Sequence, residues 1–117
     1  MGIDRLPIGL RLGLYALAVA GLLYLCLAPS EALPRVTLWD KAEHAIGWAV
    51  LTGAGLALFP RQPLRVLAFS VTFGALIEFL QGLPAIHRDS DIKDWLADLV
   101  GAALAYLVFR LVARWRA

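Results

Sequence analysis

Four long apolar stretches, separated by short polar segments, set the pattern of this chain. They cover approximately residues 7–28, 41–59, 64–83 and 94–113. A helix that crosses a bilayer needs about 20 predominantly apolar residues. The first stretch meets this with an uncharged run from 12 to 28. The other three reach it only by taking in ionisable residues at one end. These are Lys41, Glu43 and His44 in the second, Glu78 in the third, and Asp94 and Asp98 in the fourth. The pattern predicts an all-α integral membrane four-helix bundle, with one domain spanning 1–117.

The breaks between stretches carry the expected residues. Pro29 and Pro34 bracket the first loop, and Pro60 and Pro63 a tight second turn. Gly82 and Pro84 close the third stretch. Ser90 or Asp91 is placed to cap the fourth helix, with Asp94 in its first turn, where the helix dipole favours an acid. Arg5 and Arg11 before the first apolar run resemble a signal peptide. That run is too long for a cleavable signal, and Ala28-Pro29 is a poor cut site, so a retained transmembrane helix is expected. Cys26 follows Leu23-Tyr24-Leu25, bulky residues where a lipoprotein cleavage site wants small ones. It reads as a small buried hydrophobe.

Composition agrees with the pattern. Of 117 residues, 61% are hydrophobic and 17% charged, against roughly 45–50% and about 25% in ordinary soluble domains. A soluble fold this small lacks the interior to hide so much apolar surface. A net charge of +2 gives no footprint for nucleic acid. A lone cysteine allows no intramolecular disulfide.

Charge distribution predicts orientation. Arg5, Arg11, Arg61, Arg65, Arg110, Arg114 and Arg116 fall on one side, and Arg35, Lys41, Arg88 and Lys93 on the other. Both termini and the 60–65 turn are therefore expected in the cytoplasm, with the loops at 29–40 and 84–93 outside. This is the layout of a multi-pass membrane protein. Trp39, Trp95 and Trp115 lie near predicted helix ends, as interfacial tryptophans do.

The ionisable residues inside the spans are the informative ones, because a charge at the bilayer centre is expensive. At 1.5 Å per residue, His44 lies roughly 6 Å inward from Asp40, Glu78 roughly 9 Å inward from Pro84, and Asp98 roughly 10 Å inward from Asp91. All three therefore fall at similar depth, near the extracytoplasmic ends of different helices. Asp40 and His44 share a face of the second helix, and Glu78 and Gln81 a face of the third. Asp91, Asp94 and Asp98 form a stripe that Gly101 and Ala105 continue. Small residues there would let a second helix approach closely. A polar pocket opening to the outside is expected, lined by helices two, three and four, with Arg88 reaching over it.

Three motifs then carry a resemblance. Asp40-Lys41-x-x-His44 opens helix two, and Glu78-x-x-Gln81 closes helix three. Arg88-x5-Asp94-x3-Asp98-x2-Gly101 opens helix four. In this order, all at one membrane side, they resemble the VanZ-like family of small bacterial membrane proteins over about residues 37–108. The family pattern usually carries asparagine at the position of Asp98, so this chain adds a negative charge there. The resemblance implies a cell-envelope setting. The founding member is linked to resistance against teicoplanin-type glycopeptides, which act on cell-wall precursors at the outer membrane surface.

Two kinds of function suit such a pocket. The first is a membrane-embedded enzyme acting on a lipid or lipid-linked envelope substrate. His44 would be its general acid or base, oriented by Asp40 or Glu78. Asp94 and Asp98 would supply a second acid/base or hold a divalent metal. Lys41 and Arg88 would bind an anionic head group, with Asp40, Gln81 and Asp91 completing the substrate-binding set. The second is a non-enzymatic binder of an envelope lipid or amphiphilic antibiotic. A third possibility gives the polar residues only the task of fixing helix register. No HExxH or paired-cysteine motif exists, and no cofactor is predicted, a divalent metal being the one candidate. An oligomer is compatible with the sequence.

Overall fold

The computed structural model describes residues 2–27, 40–82 and 92–116. A short 3-10 turn, Gly2–Arg5, precedes four α-helices: α1 (Ile8–Leu27), α2 (Asp40–Leu58), α3 (Pro63–Gln81) and α4 (Ile92–Arg116). The protein is thus all-α, with helices close to the expected spans. Loops 28–39 and 83–91 lie outside the described residues.

Local chemistry sets the helix ends. In the α2–α3 turn the Gln62 N–H donates to the Phe59 carbonyl at 3.1 Å. Pro60 supplies the preset φ that the second position of such a turn favours. Pro63 occupies the first helical position of α3, where its missing N–H is not needed. Gly82 ends α3 in the right-handed region, at φ −77° and ψ −8°. Its N–H is shared between the carbonyls of Glu78 and Phe79. The chain therefore leaves α3 without a left-handed glycine cap.

Side-chain pairings define an up-down-up-down order. Gln81 donates to the Cys26 carbonyl, joining the C-terminal ends of α1 and α3. His44 meets Asp98, joining the N-terminal ends of α2 and α4 at that same end of the bundle. α2 makes its most extensive contact with α4. A Cβ placed on Gly101 would clash with the Ala45 carbonyl oxygen, so the two backbones touch where only glycine fits.

The outside of the bundle is apolar. Leu10, Leu17 and Tyr24 on α1 and Leu104, Leu107 and Val108 on α4 are all at least half exposed. That is the surface of a protein whose solvent is lipid. α1, α3 and α4 are each long and apolar enough to cross a membrane. α2 is not, although the sequence pattern predicts four spans. Its position explains the lower hydropathy. His44, Trp48, Leu51, Thr52 and Leu56 are buried against the other helices, so much of its surface faces protein and need not match hydrocarbon. Lys41, Glu43 and His44 at its start lower its apolar character further.

The core centres on Cys26, Trp48, Leu51, Phe73 and Ile77. Rings continue along the bundle axis. His44 stacks on Trp48 (6.0 Å between centroids), Trp48 on Phe73 (5.7 Å) and Phe73 on Phe69 (5.6 Å). Tyr15 then bridges Phe69 and Phe59. Aromatic contacts at these distances add about 0.5–1.5 kcal/mol each beyond area burial. The column stiffens the bundle between its two polar ends.

Candidate functional site

The site is built where α2, α3 and α4 meet. His44, Glu78, Asp94 and Asp98 are all buried, and Asp98 is 0% exposed. Asp94 and Asp98 stand one turn apart on the inner face of α4. His44 projects from the first turns of α2, Glu78 from the last turns of α3. The depth argument from sequence set His44, Glu78 and Asp98 at one level, and in the structure these three lie in one cluster with Asp94.

Their geometry is specific. His44 Nδ1 lies 2.8 Å from Asp98 Oδ1, a charge-assisted distance. When Asp98 is ionised it can only accept, and the proton of this bond then sits on Nδ1. His44 Nε2 is then turned toward α4 and lies 3.7 Å from Asp94 Oδ2. Asp98 thus bonds the ring directly; of the two residues expected to orient it, Glu78 is buried in the same cluster, and the side chain of Asp40 lies outside the described residues. One ligand atom from each of His44, Glu78 and Asp94 falls within 4.8 Å of the others. These three can hold a divalent metal, weakly, through one nitrogen and two carboxylate oxygens. An imidazole tied to a second-shell carboxylate through one nitrogen, leaving the other for a metal, is a recurring arrangement.

Neighbouring residues support this cluster. Gln81, one turn beyond Glu78, is 2% exposed. Its Nε2 donates to the Cys26 carbonyl, satisfying one of the orphan carbonyls at the α1 C-terminus. Its Oε1 is buried with no hydrogen-bond partner among the described residues. α3 passes Asp98 at Gly74, where a Cβ would come within 3.0 Å of Asp98 Oδ2 and of the Trp95 ring. Trp95 donates to the Val71 carbonyl. It therefore ties the start of α4 to α3, and its ring is half-buried.

A second polar layer lies deeper. Trp48 Nε1 donates to the Ser70 carbonyl at 2.9 Å, and Thr52 Oγ1 to Ser70 Oγ at 2.8 Å. Sequence reasoning did not single out these residues. The available signal was spacing: Trp48 and Thr52 follow His44 at intervals of four, and Ser70, Gly74 and Glu78 repeat that interval on α3.

Four of the expected site residues are not placed. Arg88 and Asp91 lie outside the described residues, and so do the side chains of Asp40 and Lys41, whose backbone begins α2. Trp39 also lies outside them.

The chain matches no family model, no curated protein and no solved structure. The resemblance drawn from the three motifs thus stands on those residues alone. The structure itself shows a small all-α membrane protein with a buried histidine–carboxylate cluster at one end of its helices.

Proposed function

We propose that this chain is a VanZ-like, multi-pass protein of the bacterial inner membrane, with both termini cytoplasmic and four spans. Its His44–Glu78–Asp94 cluster would act, from the extracytoplasmic side, on the polar head of a lipid or lipid-linked envelope substrate. The carrying observation is the position of His44, held by Asp98 through Nδ1 with Nε2 turned toward a carboxylate. Buried ionisable groups in a membrane bundle are expensive and mark functional sites by default. Orientation rests on seven of the eleven basic residues lying toward the opposite end.

Two chemistries are open to this arrangement, and both use the same atoms. His44 Nε2 can accept a proton from a nucleophile and later return it to a leaving group, with Asp98 steadying the imidazolium. Alternatively, His44, Glu78 and Asp94 would be the residues to hold a divalent cation. A metal there would supply an activated water. Lys41 and Arg88 would receive an anionic head group, and Gln81, Asp40 and Asp91 would line its approach.

The test compares wild type with His44→Ala, Glu78→Gln and Asp94→Asn. Metal content of the purified protein and envelope-lipid composition of the host are measured together. Loss of either in variants that melt like wild type supports the reading. Folded variants with both measurements unchanged would overturn it.

The backbone contact at Gly101 and Ala45, three residues beyond Asp98, favours a second reading. In it, the polar network only fixes α2–α4 register. That reading predicts lowered thermal stability with lipid composition and metal content untouched.

A further inference from the structure

The opposite end of the bundle holds a separate cavity of about 530 Å³, between the 3-10 turn, the start of α1 and the α2–α3 turn. Arg5, Arg11 and Arg61 line it against a single acid, Asp4, giving an excess of two positive charges. Ile8 and Phe59 form its apolar wall. The size lies in the range of small-molecule sites.

Arg11 is the built element of this cavity. Its Nε donates to the Leu6 carbonyl at 3.0 Å and its Nη1 to the Leu58 carbonyl at 2.9 Å. The second bond closes an orphan carbonyl at the α2 C-terminus. The guanidinium also lies over the Phe59 ring, 5.3 Å from its centroid. Three contacts thus fix the plane of a cation whose five N–H donors outnumber the two bonds that hold it. Arg5 and Arg61, both exposed, stand on the rim. Fixed and mobile guanidinium groups around one cavity suit an oxyanion that accepts several hydrogen bonds, and phosphate is the commonest.

Location decides the source of that phosphate. The cavity lies where apolar helices end and a basic turn begins, the level at which head groups meet a spanning bundle. Ile8, 55% exposed, continues from its wall onto the apolar outer face of α1, where Leu12 is equally exposed. An acyl chain has a surface to follow there. Basic pockets between transmembrane helices take anionic head groups by this combination of charge and depth.

We infer that this cavity binds the phosphodiester head group of an anionic phospholipid, from the leaflet opposite the His44 cluster. The inference is independent of what the cluster does.

The test is lipid retention by native mass spectrometry, offering phosphatidylglycerol and phosphatidylcholine at equal concentration. Two double variants are compared with wild type. Arg5→Gln with Arg61→Gln empties the rim. Arg110→Gln with Arg114→Gln removes the same charge from exposed positions near the α4 C-terminus, at the same end but outside the cavity lining. Wild type should prefer phosphatidylglycerol, the rim variant should lose that preference by on the order of tenfold, and the α4 variant should keep it. A large excess of inorganic phosphate should not displace the lipid. Equal retention of both lipids, equal loss in both variants, or displacement by phosphate alone would each overturn the inference. Thermal melting of each variant separates binding loss from unfolding.

Discussion

His44 and Asp98, 54 positions apart in the chain, meet at 2.8 Å between Nδ1 and Oδ1, and neither side chain is more than 8% exposed. The pair joins the starts of α2 and α4 and gives the imidazole one orientation. An asparagine at 98 keeps a carbonyl acceptor for the Nδ1 proton and removes the charge. Asp98→Asn should therefore fold and bind a divalent metal nearly as wild type. Asp98→Ala leaves Nδ1 without its acceptor, and should weaken metal affinity by about 10–100-fold, as loss of second-shell partners does. Calorimetric titration with zinc and manganese measures both.

Glu78→Gln and Asp94→Asn each remove one charged ligand from the same trio without changing its shape. Each should weaken zinc or manganese binding, and the double change should abolish it. A control, Glu43→Gln, alters a half-buried acid outside the trio and should leave affinity unchanged. Equal weakening in the control would mean that bulk charge, not ligation, holds the ion.

Gly101 tests the packing of α2 on α4. The Cβ of Gly101→Ala would meet the Ala45 backbone, which cannot rotate away as a side chain can. Overpacking of this kind costs about 1–3 kcal/mol. Gly13→Ala, on α1 with nothing within 4 Å of the added atom, should be neutral or slightly stabilising. Melting temperatures in detergent should separate the two changes clearly.

Thr52→Val removes the donor to Ser70 Oγ. Side-chain hydrogen bonds between membrane helices average only about 0.6 kcal/mol. The variant should melt slightly below wild type and retain the His44 site. Trp48→Ala, by contrast, empties a fully buried ring position in the aromatic column. It should lose about 3–5 kcal/mol.

Topology is tested by cysteine labelling with an impermeant maleimide. Asp89→Cys should react from the extracytoplasmic side and Gln62→Cys from the cytoplasmic side. Native Cys26 is buried and should not compete. Labelling of position 89 from the cytoplasm alone would reverse the proposed orientation.

Sequence by itself determined the helices and the level of the polar residues. Apolar run length, proline and the 3.6-residue period are local properties, and they locate α1 to α4 without reference to the rest of the chain. A fixed rise per residue likewise places His44, Glu78 and Asp98 at one depth. Even the close approach at Gly101 was legible, as a small residue on the acidic stripe of α4. Tertiary structure decided what these residues do to one another. Nothing local to Asp98 says that it bonds His44, because that depends on how α2 and α4 rotate when they pack. Packing also explains how α2, too polar to count as a span by composition, sits among lipid-facing neighbours: its His44 and Thr52 are buried in the bundle. Finally, it drew Arg5, Arg11 and Arg61 around one cavity, where the sequence showed only a basic end. Hydrophobicity set where the chain tolerates polarity, and helix packing turned that tolerance into geometry.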